Sequence, residues 1–200
     1  MTDHRRLLQQ KISTCSTATF DAIALAVFHY QARHNALYRE YLQLLGIKAS
    51  AIDRVEDIPF LPISFFKNYS IKTGDWPSKT VFTSSGTTGD ATSRHHVRQL
   101  DWYVQNTRRG FEFFYRPVSE YCVLALLPSY LERSGSSLIA MADFFIQQSV
   151  YDESGFFLYN TAELVEVLKT CMARQLPVIL LGVSFALLDL AEQYQLSLNN

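Results

Sequence analysis

The chain predicts an α/β fold: a three-layer, mainly parallel sheet flanked by helices and preceded by a helical N-terminal segment. Three observations carry that reading. Tyr121–Leu127 is a continuous apolar run halted by Pro128, and Val178–Leu181 is a second one, as expected of strands buried on both faces. Segments with apolar residues at helical spacing alternate with these runs, which favours parallel strands joined by helices. A short extended stretch at Lys79–Phe82 opens into a loop of glycines and hydroxyl side chains.

In chain order, Phe20, Ile23, Ala24, Val27 and Tyr30 recur at helical spacing and predict a first helix. A second starts at Asn35 as N-cap and stops at Gly46. Residues 48–79 are punctuated by Pro59, Pro62, Gly74 and Pro77, so they cannot form one long helix. They read as an extended stretch packed by Phe60, Phe65, Phe66 and Tyr69. Beyond the loop, Leu100, Val104, Thr107, Phe111 and Phe114 mark one helical face. Ser137–Gln147 reads as helix, and Asn160 caps another with Glu163 placed for a box-like return. Ser184–Tyr194 is a closing helix. This organisation divides the chain into an N-terminal helical segment, 1–47, and an α/β core, 48–200, that carries the loop.

Composition bounds what the protein does. The chain has 200 residues, enough for a sizeable core, with 48% hydrophobic and 18% charged residues. A formal net charge of −1 without a basic run gives no general pull toward nucleic acid or an anionic membrane surface. Met1–Gln10 lacks the apolar region of a signal peptide, and no apolar run reaches the about eighteen residues that span a bilayer. A cytoplasmic location without stable membrane insertion is therefore expected. Cys15, Cys122 and Cys171 are odd in number and widely spaced, so neither a disulfide framework nor a CxxC metal signature is present. The two later cysteines sit among apolar residues and read as small core residues.

The most specific chemistry lies in Phe82-Thr83-Ser84-Ser85-Gly86-Thr87-Thr88-Gly89. Glycines let the backbone turn and approach a ligand closely. Successive exposed N–H groups can then form a nest for phosphate, with Ser and Thr hydroxyls as further donors. No Gly-Lys-Ser/Thr closes the run, and Asp90 follows the last glycine, so it is not a Walker A loop. A structural turn held by side-chain to backbone bonds has the same composition. In open α/β sheets ligands lie beyond the carboxyl ends of the strands. Thr83–Arg94, Pro128–Ser137 and Gly182–Ser184 all follow strands in this reading, and they are expected to converge on one crevice.

Ser84-Ser85-Gly86-Thr87-Thr88-Gly89 resembles the phosphate-binding loop of the adenylate-forming enzymes. With Leu61–Lys67 upstream, Ser93–Val97 after the loop, and the blocks Leu127–Leu138 and Leu181–Leu188 further on, the chain is similar to the acyl-protein synthetase of the bacterial luminescence fatty-acid reductase complex (LuxE type). The resemblance runs from about Ile58 to Ala191.

The resemblance implies a ligase that uses ATP and Mg²⁺ to activate a carboxylate, a fatty acid in the luminescence enzyme, as an acyl-adenylate. The acyl group then passes to a protein thiol, with partner reductase and transferase subunits implied. Carried over residue by residue, Thr83, Ser84, Ser85, Gly86, Thr87, Thr88 and Gly89 would hold the nucleotide. Thr87, Thr88 and Arg94 would act on the phosphates. The related enzymes place a lysine three residues beyond the last loop glycine, where this chain has Thr92. Arg94 either takes over that charge or pairs with Asp90. His95, Ser129, Tyr130, Gly182, Ser184 and Phe185 are the positions implied for the substrate. Phe185 and Leu188 also read as core residues, and Lys67 as a surface lysine. No metal ligands are assigned: His95 and His96 are adjacent and point to opposite sides of an extended chain, and Glu132 with Arg133 reads equally well as a surface ion pair.

Related enzymes continue through a Tyr-Gly-x-Thr-Glu segment, an aspartate for the ribose and a mobile domain with a catalytic lysine. No Tyr-Gly dipeptide occurs here, so the chain is expected to be the N-terminal part of such an enzyme, inactive alone and binding ATP no tighter than about millimolar. A non-catalytic nucleotide- or acyl-binding scaffold that keeps the fold stays open. So does a serine acyltransferase using Ser85 with His95 or His96, although Ser85 lacks the glycine two residues before it that a nucleophile elbow needs.

Overall fold

A computed structural model describes residues 2–84, 92–128 and 135–194, with side chains from His4 onward. The fold is α/β, and Cα packing divides the chain into two compact units, 1–98 and 99–200.

The first unit contains helices α1 (Thr2–Ser13), α2 (Phe20–His34), α3 (Ala36–Leu44) and α4 (Phe65–Asn68), followed by strands β1 (Thr80–Thr83) and β2 (Arg94–Val97). Asn35 is buried between α2 and α3, and its side chain accepts a bond from the Tyr38 amide at 3.1 Å. That bond satisfies an amide the helix start would otherwise orphan, as the N-cap expectation requires. Gly46 ends α3 with φ +69°, donating to the Gln43 carbonyl while Ile47 donates to the Leu42 carbonyl. This paired closure is a Schellman motif, and it needs the left-handed conformation that glycine adopts without penalty. Phe28, Ala32, Tyr38, Leu42 and Ile58 form the core beneath the helices.

Residues 48–79 are less extended than the sequence suggests. They contain single 3₁₀ turns at Ala49–Ala51 and Val55–Asp57 and the helix α4. Phe65 packs edge-on against Tyr41, but Phe60 is 74% exposed and anchors nothing. The segment is tied instead by its backbone: the Tyr38 hydroxyl donates to the Pro59 carbonyl at 2.8 Å and that of Tyr41 to Phe60 at 3.3 Å. Further on, Thr73 bonds Gln31 and the Gly74 amide donates to the His34 carbonyl, strapping residues 73–76 onto α2.

The second unit runs α5 (Leu100–Phe114), β3 (Cys122–Leu126), α6 (Ser137–Gln148), β4 (Gly155–Phe157), α7 (Thr161–Ala173), β5 (Val178–Gly182) and α8 (Ser184–Gln193). Its sheet has the order β4-β3-β5 with both pairings parallel. Strand β3 sits in the centre and is buried throughout. Strand alternation sends Cys122, Leu124 and Leu126 toward Leu164, Leu168 and Ala186 of α7 and α8, while Val123, Ala125 and Leu127 meet Phe145 and Ala142 of α6. The three layers follow directly from that double-sided burial.

Three expectations need correction. The stripe on α5 is only partly buried: Val104 is covered, whereas Phe114 is 76% exposed. Asn160 does not cap α7 through its side chain; it accepts from the Leu158 amide and bonds the Glu163 carboxylate directly. Most consequentially, β1 is not a strand of the parallel sheet. It pairs antiparallel with β2, with Thr80 opposite Val97 and Thr83 opposite Arg94. The rule placing ligands at the carboxyl edge of a parallel sheet therefore does not extend to the loop after Thr83, and the single-crevice expectation loses its basis. Among the described residues no helix is long and apolar enough to cross a membrane.

Candidate functional site

The hydroxyl-rich loop is mounted on a pinched hairpin. Phe82 is 6% exposed and fixes β1 to the first unit, leaving Thr83 and Ser84 exposed at the strand's end. There the Ser84 amide donates to the Ser93 carbonyl at 3.1 Å, and the Ser93 amide donates to Ser84 Oγ at 3.0 Å. One side-chain oxygen thus continues the ladder beyond its last backbone pair. Ser85, Gly86, Thr87, Thr88 and Gly89 lie outside the described residues, as do Asp90, Ser129, Tyr130, Glu132 and Arg133.

Arg94 stands directly opposite Thr83, so both side chains leave the same face of the hairpin beside the neck. Arg94 forms no ion pair with a described residue. His95 and His96 leave opposite faces, as adjacent residues in a strand must. His95 faces its cross-strand partner Phe82 and meets Phe66 edge-on at 6.2 Å. His96 is held between two hydroxyls, with Nδ1 2.8 Å from Ser78 Oγ and Nε2 3.0 Å from Ser70 Oγ. Burial, then the charges of Lys72, Arg94 and His95, push its pKa below the ordinary value of 6.5. The neutral ring accepts at one nitrogen and donates at the other. With both nitrogens engaged, His96 has none left to activate Ser85. Ser70 and Ser78 carry no motif, and only folding brings them to His96.

A cavity of about 780 Å³ opens beside this hairpin within the first unit. Its walls are apolar, drawn from α1, α2 and the 55–76 segment, and His95 and His96 reach it from β2. At its polar end Lys72 Nζ and the Arg98 guanidinium lie 5.5 and 5.7 Å from the Trp76 ring centroid. Lys72 also donates to the Trp76 carbonyl at 3.1 Å. Arg5 completes the group, its pKa lowered by burial and by Arg98. Sequence reasoning missed this cavity because its residues are spread over almost the whole first unit without a local pattern.

In the second unit, Gly182, Ser184 and Phe185 form the turn from β5 into α8. A Cβ at Gly182 would lie 2.8 Å from Leu187 Cγ and Cδ2, so glycine is required there by packing. Ser184 and Phe185 are exposed on the first turn of α8. Among the described residues no three His, Cys, Asp or Glu side chains gather as a metal site.

No curated protein and no solved structure matches the chain. A family model does, over residues 13–100: LuxE, acyl-protein synthetase. The matched span takes in α2, α3, α4 and the whole hairpin with its loop. Over that segment the chain is similar to the LuxE acyl-protein synthetase family.

Proposed function

We propose that this protein acts in the ATP-dependent activation of a carboxylate, a fatty acid in first place, as an acyl-adenylate that is passed on to a protein thiol. The match to an acyl-protein synthetase family supports the reaction class. The observation that carries the site is the pinched neck at Ser84 and Ser93, which mounts four hydroxyl residues and two glycines on a hairpin beside an arginine.

The chain's own residues suit polyphosphate. Ser84, Ser85, Thr87 and Thr88 offer hydroxyl donors, the glycines allow close backbone approach, and Arg94 supplies a fixed positive charge at the loop's base. MgATP, when bound, would supply the adenylyl group that the carboxylate takes up at the α-phosphate, with pyrophosphate as the leaving group. Donors placed around a phosphate act by stabilising charge that develops on its oxygens.

The test is carboxylate-dependent pyrophosphate exchange with Thr87→Val and Thr88→Val in the enzyme carrying this chain. Each lost donor should slow exchange about a hundredfold, with transfer from preformed acyl-adenylate much less affected. Equal loss in both half-reactions, or in neither, overturns the loop's role. Ser85→Ala separates a serine nucleophile, which would lose transfer while exchange survived. Ligand binding without any exchange would favour a non-catalytic scaffold.

A further inference from the structure

We propose that the cavity in the first unit is an acyl site, its apolar walls taking the aliphatic chain of a monocarboxylate and Arg5, Lys72 and Arg98 receiving the carboxylate. Naming the ligand as a fatty acid rests on the function proposed above, whereas the site rests on the cavity itself. Of the positions to which the sequence resemblance points for substrate, His95 lines it and Gly182, Ser184 and Phe185 do not.

Size, wall chemistry and charge agree. A volume of about 780 Å³ falls among small-molecule sites, which run from about 300 to 1,000 Å³. Leu8, Ile12, Ile23, Val27, Ile58 and Phe66 supply an apolar wall. Ile12 and Phe20 stay 38% and 53% exposed on it, so apolar surface is left for a ligand to cover. Lining the cavity are three permanent cations and two histidines, with no aspartate or glutamate. Arg5, Lys72 and Arg98 have no ion pair with any described residue. Arg5 and Lys72 are half-buried and Arg98 is exposed; their mutual repulsion is relieved by an anion, which no residue lining the cavity supplies. An apolar wall with a cationic end selects a long chain with a single anionic head. A nucleotide would bring its phosphates to the cations but set its ribose hydroxyls against hydrocarbon, which is unfavourable.

The experiment titrates the full 200-residue chain, without ATP, with saturated fatty acids from octanoate to palmitate below their micellar concentrations. Binding is followed by calorimetry and by the fluorescence of Trp76. Affinity should rise about fourfold per added methylene until the cavity is full. The alkylamine of equal length should bind at least tenfold more weakly, because its head meets three cations. Arg5→Gln and Arg98→Gln should each weaken the acid about tenfold and leave its methyl ester unchanged. Val27→Trp should abolish binding of acid and ester alike in a variant whose thermal midpoint shows it folded; if it does not fold, the Arg5 and Arg98 variants decide alone. Equal binding of acid and amine, no dependence on chain length, or arginine variants that bind the acid as wild type does each overturn the site. Failure of the proposed function reads out separately. Thr87→Val and Thr88→Val leave this binding intact whatever they do to pyrophosphate exchange, and undiminished exchange in folded Val27→Trp would show that the reaction does not draw its acid from this cavity.

Discussion

Ser84 and Ser93 close the neck of the hydroxyl-rich loop by a reciprocal exchange, Ser84 N–H to the Ser93 carbonyl and Ser93 N–H to Ser84 Oγ. The second bond uses a side chain where a ladder would use a carbonyl, so it can be deleted without touching the backbone. Ser84→Ala should lower global stability by no more than about 1 kcal/mol, the usual net worth of such a bond. Hydrogen exchange at the Ser93 amide should speed up, while Val97, deeper in the hairpin, stays protected. Unchanged protection at Ser93 would show that Ser84 Oγ does not hold the neck.

His96 makes stability depend on pH in a predictable direction. Its neutral form is favoured in the folded protein by burial and by Lys72, Arg94 and His95. Above its ordinary value of 6.5 the ring is neutral in folded and unfolded chains, and the contribution is fully present. As pH falls below that value the unfolded chain takes up the proton first, and stability is lost until the lower folded value is passed. Between about pH 7.5 and 5.5, the fall in melting temperature should be smaller in His96→Gln than in the wild type. Parallel curves would assign the pH dependence to other groups.

The cysteines should separate into two reactivity classes. Cys122 and Cys171 are fully buried with their sulfurs 3.6 Å apart, and burial followed by the bond from Cys171 pushes the Cys122 thiol up to about 12. Thiolate is the reactive form, so alkylation under native conditions should modify exposed Cys15 alone. Mass spectrometry after a denaturant pulse should then show all three labelled. Rapid native labelling of Cys171 would contradict the packing described.

Gly182 tests whether the β5–α8 turn is set by packing. Gly182→Ala drives a methyl group to within 2.8 Å of Leu187 and should destabilise the protein by about 1–3 kcal/mol. In a Leu187→Ala background the same substitution should cost little, giving a coupling energy above about 0.5 kcal/mol in the double-mutant cycle. Additive losses would mean that something other than Leu187 excludes the methyl.

Tyr38 gives the alkaline counterpart. Burial, then Tyr41, pushes its hydroxyl up to about 12 from an ordinary value of 10.0. A raised value means its contribution is intact below the unfolded value and is lost as pH climbs toward the folded one. Tyr38→Phe, which loses the bond to the Pro59 carbonyl, should be less stable at neutral pH by about 1 kcal/mol. It should also show a shallower loss of stability above about pH 10. An equally steep alkaline loss in the variant would place the titrating group elsewhere.

Much of the architecture was legible in the sequence because local chemistry dictated it. Asn35 and Gly46 bound α3 by capping and by a positive φ, which need no tertiary context. The apolar runs at 121–127 and 178–181 became the parallel pair β3 and β5 because residues apolar at every position can only be buried on both faces. The Ser-Gly-Thr-Thr-Gly order raises a phosphate loop as an expectation, and residues 85–89 lie outside those described. Tertiary structure decided the rest. β4 has three residues and no period to read. The partner of β1 turned out to be the strand just beyond its own loop rather than the parallel sheet, since strand pairing is chosen by backbone hydrogen bonds that leave no mark on side-chain order. His96 found Ser70 and Ser78, Arg5 came near Arg98, and Lys72 and Arg98 met over Trp76, only after the chain from α1 to β2 had packed. Grouping like charges at the end of an apolar cavity is a property of three-dimensional placement, and no spacing along the sequence encodes it.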